Sequence, residues 1–198
     1  QRAMSRAASK FNVDLRGEMS VDSQTSFVGY DGETGRGRVV AMFRGKEPVA
    51  ELKAGEEGQV VLDVTPFYAE SGGQVGDAGE LSTSTARFMV TDTQKLGKAH
   101  VHVGKLAAGT LQIGETVAAT VDGLRRDATR ANHSATHLLH AALREVLGTH
   151  VTQKGSLVAP DRLRFDFSSP KAVPAEDLSK IEEKVRHRIE RNLVVHAE

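Results

Sequence analysis

Three histidines, His133, His137 and His140, stand four and three residues apart in a run with helical periodicity. At about 100° per residue they fall within one narrow sector of a helix. His133 and His137, one turn apart, make half a metal site, because zinc takes three or four nitrogen, sulfur or oxygen ligands. Ser134 stands where zinc proteases carry a glutamate beside the first histidine. The plain alternative is surface histidines sharing a face by chance. Ala131, Ala135, Leu138, Leu139, Ala142 and Val146 gather on the opposite side. If that stripe docks the helix, the imidazoles face solvent or a cleft built by another segment.

Other segments hold further candidates. Residues 67–79 concentrate glycine at Gly72, Gly73, Gly76 and Gly79, beside Tyr68, Glu70 and Gln74. They lack the glycine spacing of a dinucleotide fingerprint and the Lys-Ser/Thr ending of a P-loop. Spacing alone favours an elaborate turn of a β domain over a ligand loop, and the polar neighbours keep the second reading open. Gln153, in Gln-Lys-Gly-Ser, can reach the histidine cleft or simply line a strand edge. Arg125, Arg126 and Arg130 suit phosphate contacts and equally suit a polar helix start. His100 and His102 share one face of an expected strand, and with Val101 and Val103 inward they face water. His150, His187 and His196 stand alone and read as surface or capping residues.

The elements that position these residues fall in two halves. Short strands are expected over 26–30, 38–43, 59–64, 86–91, 99–103 and 116–121, separated by glycine turns, which is the pattern of a small all-β barrel or sandwich. From about 124 to 147 the chain runs without Gly or Pro and then meets Gly148, which predicts a helix with a glycine cap. Strands at 149–158 and 162–168 around Ala159-Pro160-Asp161 follow. A helix beginning at Pro174 comes next, with Leu178, Ile181, Val185, Ile189 and Leu193 as its stripe and the charges of 180–191 on its wet side. Ala3, Met4, Ala7, Ala8 and Phe11 predict a short helix at the start. The domains expected are a helical stub at 1–24, a β-barrel at 25–122 and the first part of an α+β domain at 123–198. The opening on Gln1 and the unpunctuated end suggest a piece of a longer protein.

Bulk properties narrow the function classes. With 26 basic and 26 acidic residues, the chain has no overall signature of a nucleic-acid binder, so any RNA contact must be local. Cysteine is absent, which removes a disulfide framework and leaves His, Asp and Glu as metal ligands. No run is apolar enough to span a bilayer and no signal peptide is seen, so no membrane partner is expected.

The glycine-rich stretch 67–79, then Arg130-Ala131-Asn132-His133-Ser134-Ala135-Thr136-His137, then Gln153-Lys154-Gly155-Ser156 and Arg164-Phe165-Asp166-Phe167, in this order, resembles the editing region of the alanyl-tRNA synthetase family. The resemblance implies a translation-factor-like β-barrel followed by a truncated α+β editing domain of the threonyl/alanyl type. It implies that His133 and His137 ligate Zn2+. Thr136 and Gln153 would do the catalytic and pocket-lining work, and Gly72, Gly73 and Gln74 would contact substrate. His140, on the same face, is left as a supporting residue. The family's other two zinc ligands come from a downstream Cys-x-x-x-His segment, which this sequence lacks, so weak or absent zinc binding is expected here.

The implied reaction is hydrolysis of mischarged seryl- or glycyl-tRNA(Ala). A pocket for alanine cannot exclude glycine and rejects serine by only about 1–3 kcal/mol, so a second, hydrolytic site is needed. The implied partner is tRNA(Ala), the implied setting cytoplasmic, and ATP would be used only by a separate catalytic domain. The fragment alone is expected to be inactive. A stand-alone trans-editing hydrolase and a non-catalytic tRNA-binding module are the alternatives. A threonyl-type editing domain would share the histidine helix but lack the barrel.

Overall fold

The computed structural model describes residues 23–192. The expected N-terminal helix, Leu193 and His196 lie outside the described residues. The chain divides into two compact units, one of residues 1–69 with Asp77–Val121, the other of Glu70–Gly76 with 122–198.

The first unit is a closed barrel of six antiparallel strands: β1 (Thr34–Arg44), β2 (Glu57–Leu62), β3 (Gly79–Ser82), β4 (Arg87–Leu96), β5 (Ala99–Ala108) and β6 (Thr116–Val121). The ring runs β6-β3-β4-β5-β2-β1 and closes because β1 also pairs with β6. One long strand serves two partners: its first half faces β6 (Arg38 opposite Thr116), its second half β2 (Phe43 opposite Gln59), with an irregularity between Val39 and Ala41. Closure forces close approaches, and Gly37 permits one. A Cβ there would sit 2.1 Å from the Val64 carbonyl oxygen. Val39, Met42, Leu62, Phe67, Leu81, Phe88 and Leu106 fill the interior.

The strand expectations need three corrections. The stretch 26–30 forms only Ser26–Phe27, which pairs in parallel with Val64–Thr65, because the chain turns at once and the Asp31 N–H donates back to the Val28 carbonyl. Its place in the ring is taken by β3, whose single buried apolar residue, Leu81, gives too weak an alternation to read. His102 points into the barrel and is fully buried, and His100, on the same side of β5 as His102 and Leu106, is half-buried with its Nδ1 against the Phe67 carbonyl, so the pair does not stand in water. The valines are covered too: Ala99, Val101 and Val103 pack with Phe43 and Val61 in a separate outer cluster, so β5 is buried on both faces.

In the second unit, α1 (Gly123–Leu147) starts at Asp122, whose side chain accepts from the Arg125 N–H, and ends at Gly148, whose N–H donates to Arg144. Strands β7 (Gln153–Val158) and β8 (Leu163–Phe167) form an antiparallel hairpin, and α2 (Ala175–Glu190) follows with Pro174 at its cap. The core is Ala142, Leu143, Val151 and Ile181, with Leu139, Phe165, Phe167 and Val185 against it. Docking of α1 differs from expectation. Only the second half of the apolar stripe is covered, while Ala131 is exposed. Arg126, Thr129 and Thr136 are buried on the sector that carries the histidines. On α2, Ile181 is buried, whereas Leu178 and Ile189 stand exposed.

Candidate functional site

The glycine-rich segment does not complete the barrel. Glu70–Gly76 belongs to the second unit, which corrects the favoured reading of a barrel turn. Ser71 and Gln74 exchange both backbone hydrogen bonds, at 3.2 and 3.0 Å, around Gly72 and Gly73. Both glycines have positive φ, +61° and +87°, the signature of a two-residue type I′ turn. The turn lies along β7: the Val158 N–H donates to Gly73 at 2.8 Å and the Val75 N–H to Val158 at 3.0 Å. Alternating glycines and turn residues announce such a loop. Its partner strand, more than eighty positions later, is invisible to local pattern.

Gly73 carries a steric demand that its neighbours do not. A Cβ there would meet the Ser156 carbonyl oxygen at 2.5 Å and its hydroxyl at 2.7 Å. Gly73→Ala therefore lifts the turn off the hairpin, and backbone strain alone costs roughly 1–2 kcal/mol. Hydrogen exchange of the Val158 amide reads the outcome. An unchanged exchange rate in the variant would contradict the close packing.

The turn also reaches the histidine helix. The Gln74 side-chain oxygen lies 2.7 Å from His133 Nδ1, joining residues 59 apart in sequence. The His133 and His137 rings stand 5.0 Å apart and tilted by 39°. Partial burial, then the charge of His137, hold the His133 imidazole below its ordinary pKa. Asn132 donates to the Ala159 carbonyl at 2.7 Å and so pins the helix to the end of β7. Gly72, Gly73, Gln153, Lys154, Gly155 and Ser156 line an open depression of about 490 Å³, large enough for an amino-acid ester.

Gln74 meets His133, Gly72 and Gly73 share the depression with Gln153, and Gln153 donates from its amide to the Ser156 hydroxyl at 3.1 Å. Thr136 is buried, and its hydroxyl donates to the Asn132 carbonyl one turn earlier, at 2.8 Å. His137 is exposed beside His133. His140 packs on Phe165 at 5.1 Å, and its buried Nε2 has no hydrogen-bond partner among the described residues. Of the arginines, Arg126 is buried and Arg130 pairs with Asp127 at 3.5 Å, so the three do not present one basic face. Asn132 and Ser156 were not singled out from sequence, though each adjoins or lies within a quoted motif.

The two imidazoles fit the nitrogen half of a zinc ligand set, spaced one turn apart and with one ring already held at Nδ1. No group of three or more His, Cys, Asp or Glu suited to a metal occurs among the described residues. The donors present are half a set. No helix among the described residues is long and apolar enough to cross a membrane.

Comparison with known proteins agrees with the resemblance seen in the motifs. Residues 1–125 match the family of tRNA synthetases class II (A). The chain is 53% identical to the alanine–tRNA ligase of Nitrosococcus oceani over 201 residues and 52% identical to that of Pseudomonas entomophila over 198. Both alignments cover all of this chain and 23% of the relative's length. The chain therefore belongs to the class II (A) tRNA synthetase family, among the alanyl-tRNA synthetases.

Proposed function

We propose that this chain carries the proofreading region of an alanine–tRNA ligase, which hydrolyses the ester of seryl- or glycyl-tRNA(Ala). The observation that carries the reading is the Gln74–His133 contact, because it joins the histidine helix to the glycine-rich turn whose Gly72 and Gly73 line the depression. The glycine-rich stretch, the histidine helix and the Gln153–Ser156 segment, far apart in sequence, lie in one unit.

The chemistry follows from what the side chains offer. Ester hydrolysis needs a polarised carbonyl, a placed water and a held amino acid. The amides of Gly72 and Gly73, at the tip of the turn, lie outside the turn's own hydrogen bonds and suit a carbonyl or terminal hydroxyl. Gln153 donates to Ser156 and keeps its side-chain oxygen as an acceptor for water or the substrate's amino group. Thr136, its proton committed to Asn132, offers only lone pairs. Zinc, when bound, would be held by His133 and His137 and would supply Lewis acidity. Two such ligands hold it weakly, and ligands from outside this chain would complete the set. Ligation of alanine to tRNA(Ala) with ATP belongs to a separate catalytic domain of the ligase.

Deacylation of seryl-tRNA(Ala) by the whole ligase tests the reading. His133→Ala and Gln153→Ala each slow it, by about 10- to 100-fold, the range found when groups around a metal site are removed. Alanylation of tRNA(Ala) stays unchanged. A His133→Ala ligase that still clears mischarged tRNA at the normal rate would sink the proposal. The trans-editing and tRNA-docking alternatives predict respectively full activity of this chain by itself and no deacylation from any form.

A further inference from the structure

We propose that Gln74 is a positioning residue that selects the tautomer of His133, holding the proton on Nδ1 and leaving the lone pair on Nε2. The inference rests on the proofreading reading only for its purpose, not for its geometry.

The Gln74 amide presents its oxygen to the ring, 2.7 Å from His133 Nδ1, and because an amide oxygen can only accept, that arrangement makes Nδ1 the donor. A neutral imidazole has one N–H, so Nε2 is then bare. The amide is held from its other end. Gln74 bonds both ways to Ser71 through its backbone, and forms a parallel bridge to Val158 on β7. Only glycine fits beside it at position 73, because the Ser156 carbonyl fills the space of a Cβ. The turn, its glycines and the hairpin together therefore fix the Gln74 backbone, from which its side chain reaches His133. The glycine-rich segment acts on the histidine as well as on the substrate. An Nε2 lone pair is what a metal, or a water to be deprotonated, needs from this ring.

The 198-residue chain labelled with 15N-histidine tests this by long-range 1H–15N correlation at about pH 8, where an imidazole is neutral. His133 is expected as the Nδ1–H tautomer. Gln74→Glu, which keeps an acceptor, preserves it. Gln74→Leu, which has none, turns the ring to the Nε2–H form that imidazole prefers in water. An Nε2–H tautomer in the unaltered chain overturns the proposal, as does an Nδ1–H tautomer that persists in Gln74→Leu. If the leucine variant loses the turn's docking, seen as a displaced Val158 amide signal, the unaltered chain and Gln74→Glu decide. The readout is independent of catalysis, so an Nδ1–H ring in a ligase that fails the deacylation test leaves this assignment standing. An Nε2–H ring in one that passes overturns the assignment alone.

Discussion

Replacing Phe88 with alanine lowers the unfolding free energy of the barrel by about 4 kcal/mol, at the upper end of what single core truncations cost. Phe88 is fully buried on β4, with Leu81 of β3 and Leu106 of β5 directly opposite on either side. Its ring edge comes to 3.0 Å of the position a Cβ would take on Gly104. The backbone around it cannot collapse into the space left, because a closed ring of six paired strands fixes its own radius. The full cavity term is therefore retained. Urea unfolding followed by tyrosine fluorescence measures the barrel specifically, since the sequence has no tryptophan and both tyrosines, Tyr30 and Tyr68, belong to the barrel unit. A loss below about 1 kcal/mol would mean that the interior repacks around the missing ring.

Acidification from pH 7 to pH 5 removes about 2 kcal/mol from the barrel, through His102. Burial pushes this imidazole down to about 4, although its bond to the Val60 carbonyl works the other way. Both ring nitrogens are satisfied in the neutral form. Nδ1 donates to Val60 at 2.9 Å, and Nε2 at 2.8 Å accepts from the Thr65 hydroxyl, which itself accepts from the Phe67 N–H. A second proton would break this chain of bonds at Thr65. The sign follows from the depressed folded value. Above the ordinary histidine pKa of about 6.5 neither state is protonated, and below it the unfolded chain takes up a proton that the barrel refuses. Stability is therefore complete above about pH 6.5 and falls until about pH 4, by about 3 kcal/mol in all. His100, half-buried against Phe67 and shifted in the same direction by burial, adds to the slope. Paired carboxylates such as Glu51 and Glu56 lie below their ordinary values and titrate at lower pH, which leaves the range 5 to 6.5 to the histidines. His102→Leu starts from a less stable barrel but shows a flatter slope across that range. A slope equal to that of the unaltered chain would refute the role of His102.

The period of two along β5 was legible, and its polarity was not. Alternation separates His100 and His102 from Val101 and Val103, and a hydrophobicity scale then sends the valines inward. With both faces of the strand covered, the choice is made by the hydrogen-bond partners waiting inside the barrel, Val60 and Thr65, which no local window contains. The strand 116–121 was readable residue for residue, because three buried apolar positions alternate with exposed ones. The end of α1 was readable for a different reason, since Gly148 is a local cap, whereas the Asp122 side chain that caps its start was not read from sequence. For the site, the chemistry of the residues could be read but not their meeting place. That Gln74 touches His133 depends on a turn docking to β7, a long-range pairing that glycine content cannot encode. The burial of Arg126 and Thr136 shows the same limit, because these polar side chains occupy a helix sector that an apolar stripe would have left to solvent.

The turn Glu70–Gly76 leaves the barrel chain at Ala69 and rejoins it at Asp77, so the second unit is assembled from two separate stretches of sequence. No single cut yields that unit whole. A boundary drawn at Asp122 gives a contiguous, tidy module with both helices and the hairpin, but one stripped of Gly72, Gly73 and Gln74. A boundary drawn before the turn keeps them only by carrying part of the barrel along. The two units are thus interleaved in sequence, and a gene fusion, a domain exchange or a duplication that respects the histidine helix must inherit the strands that bracket the turn as well.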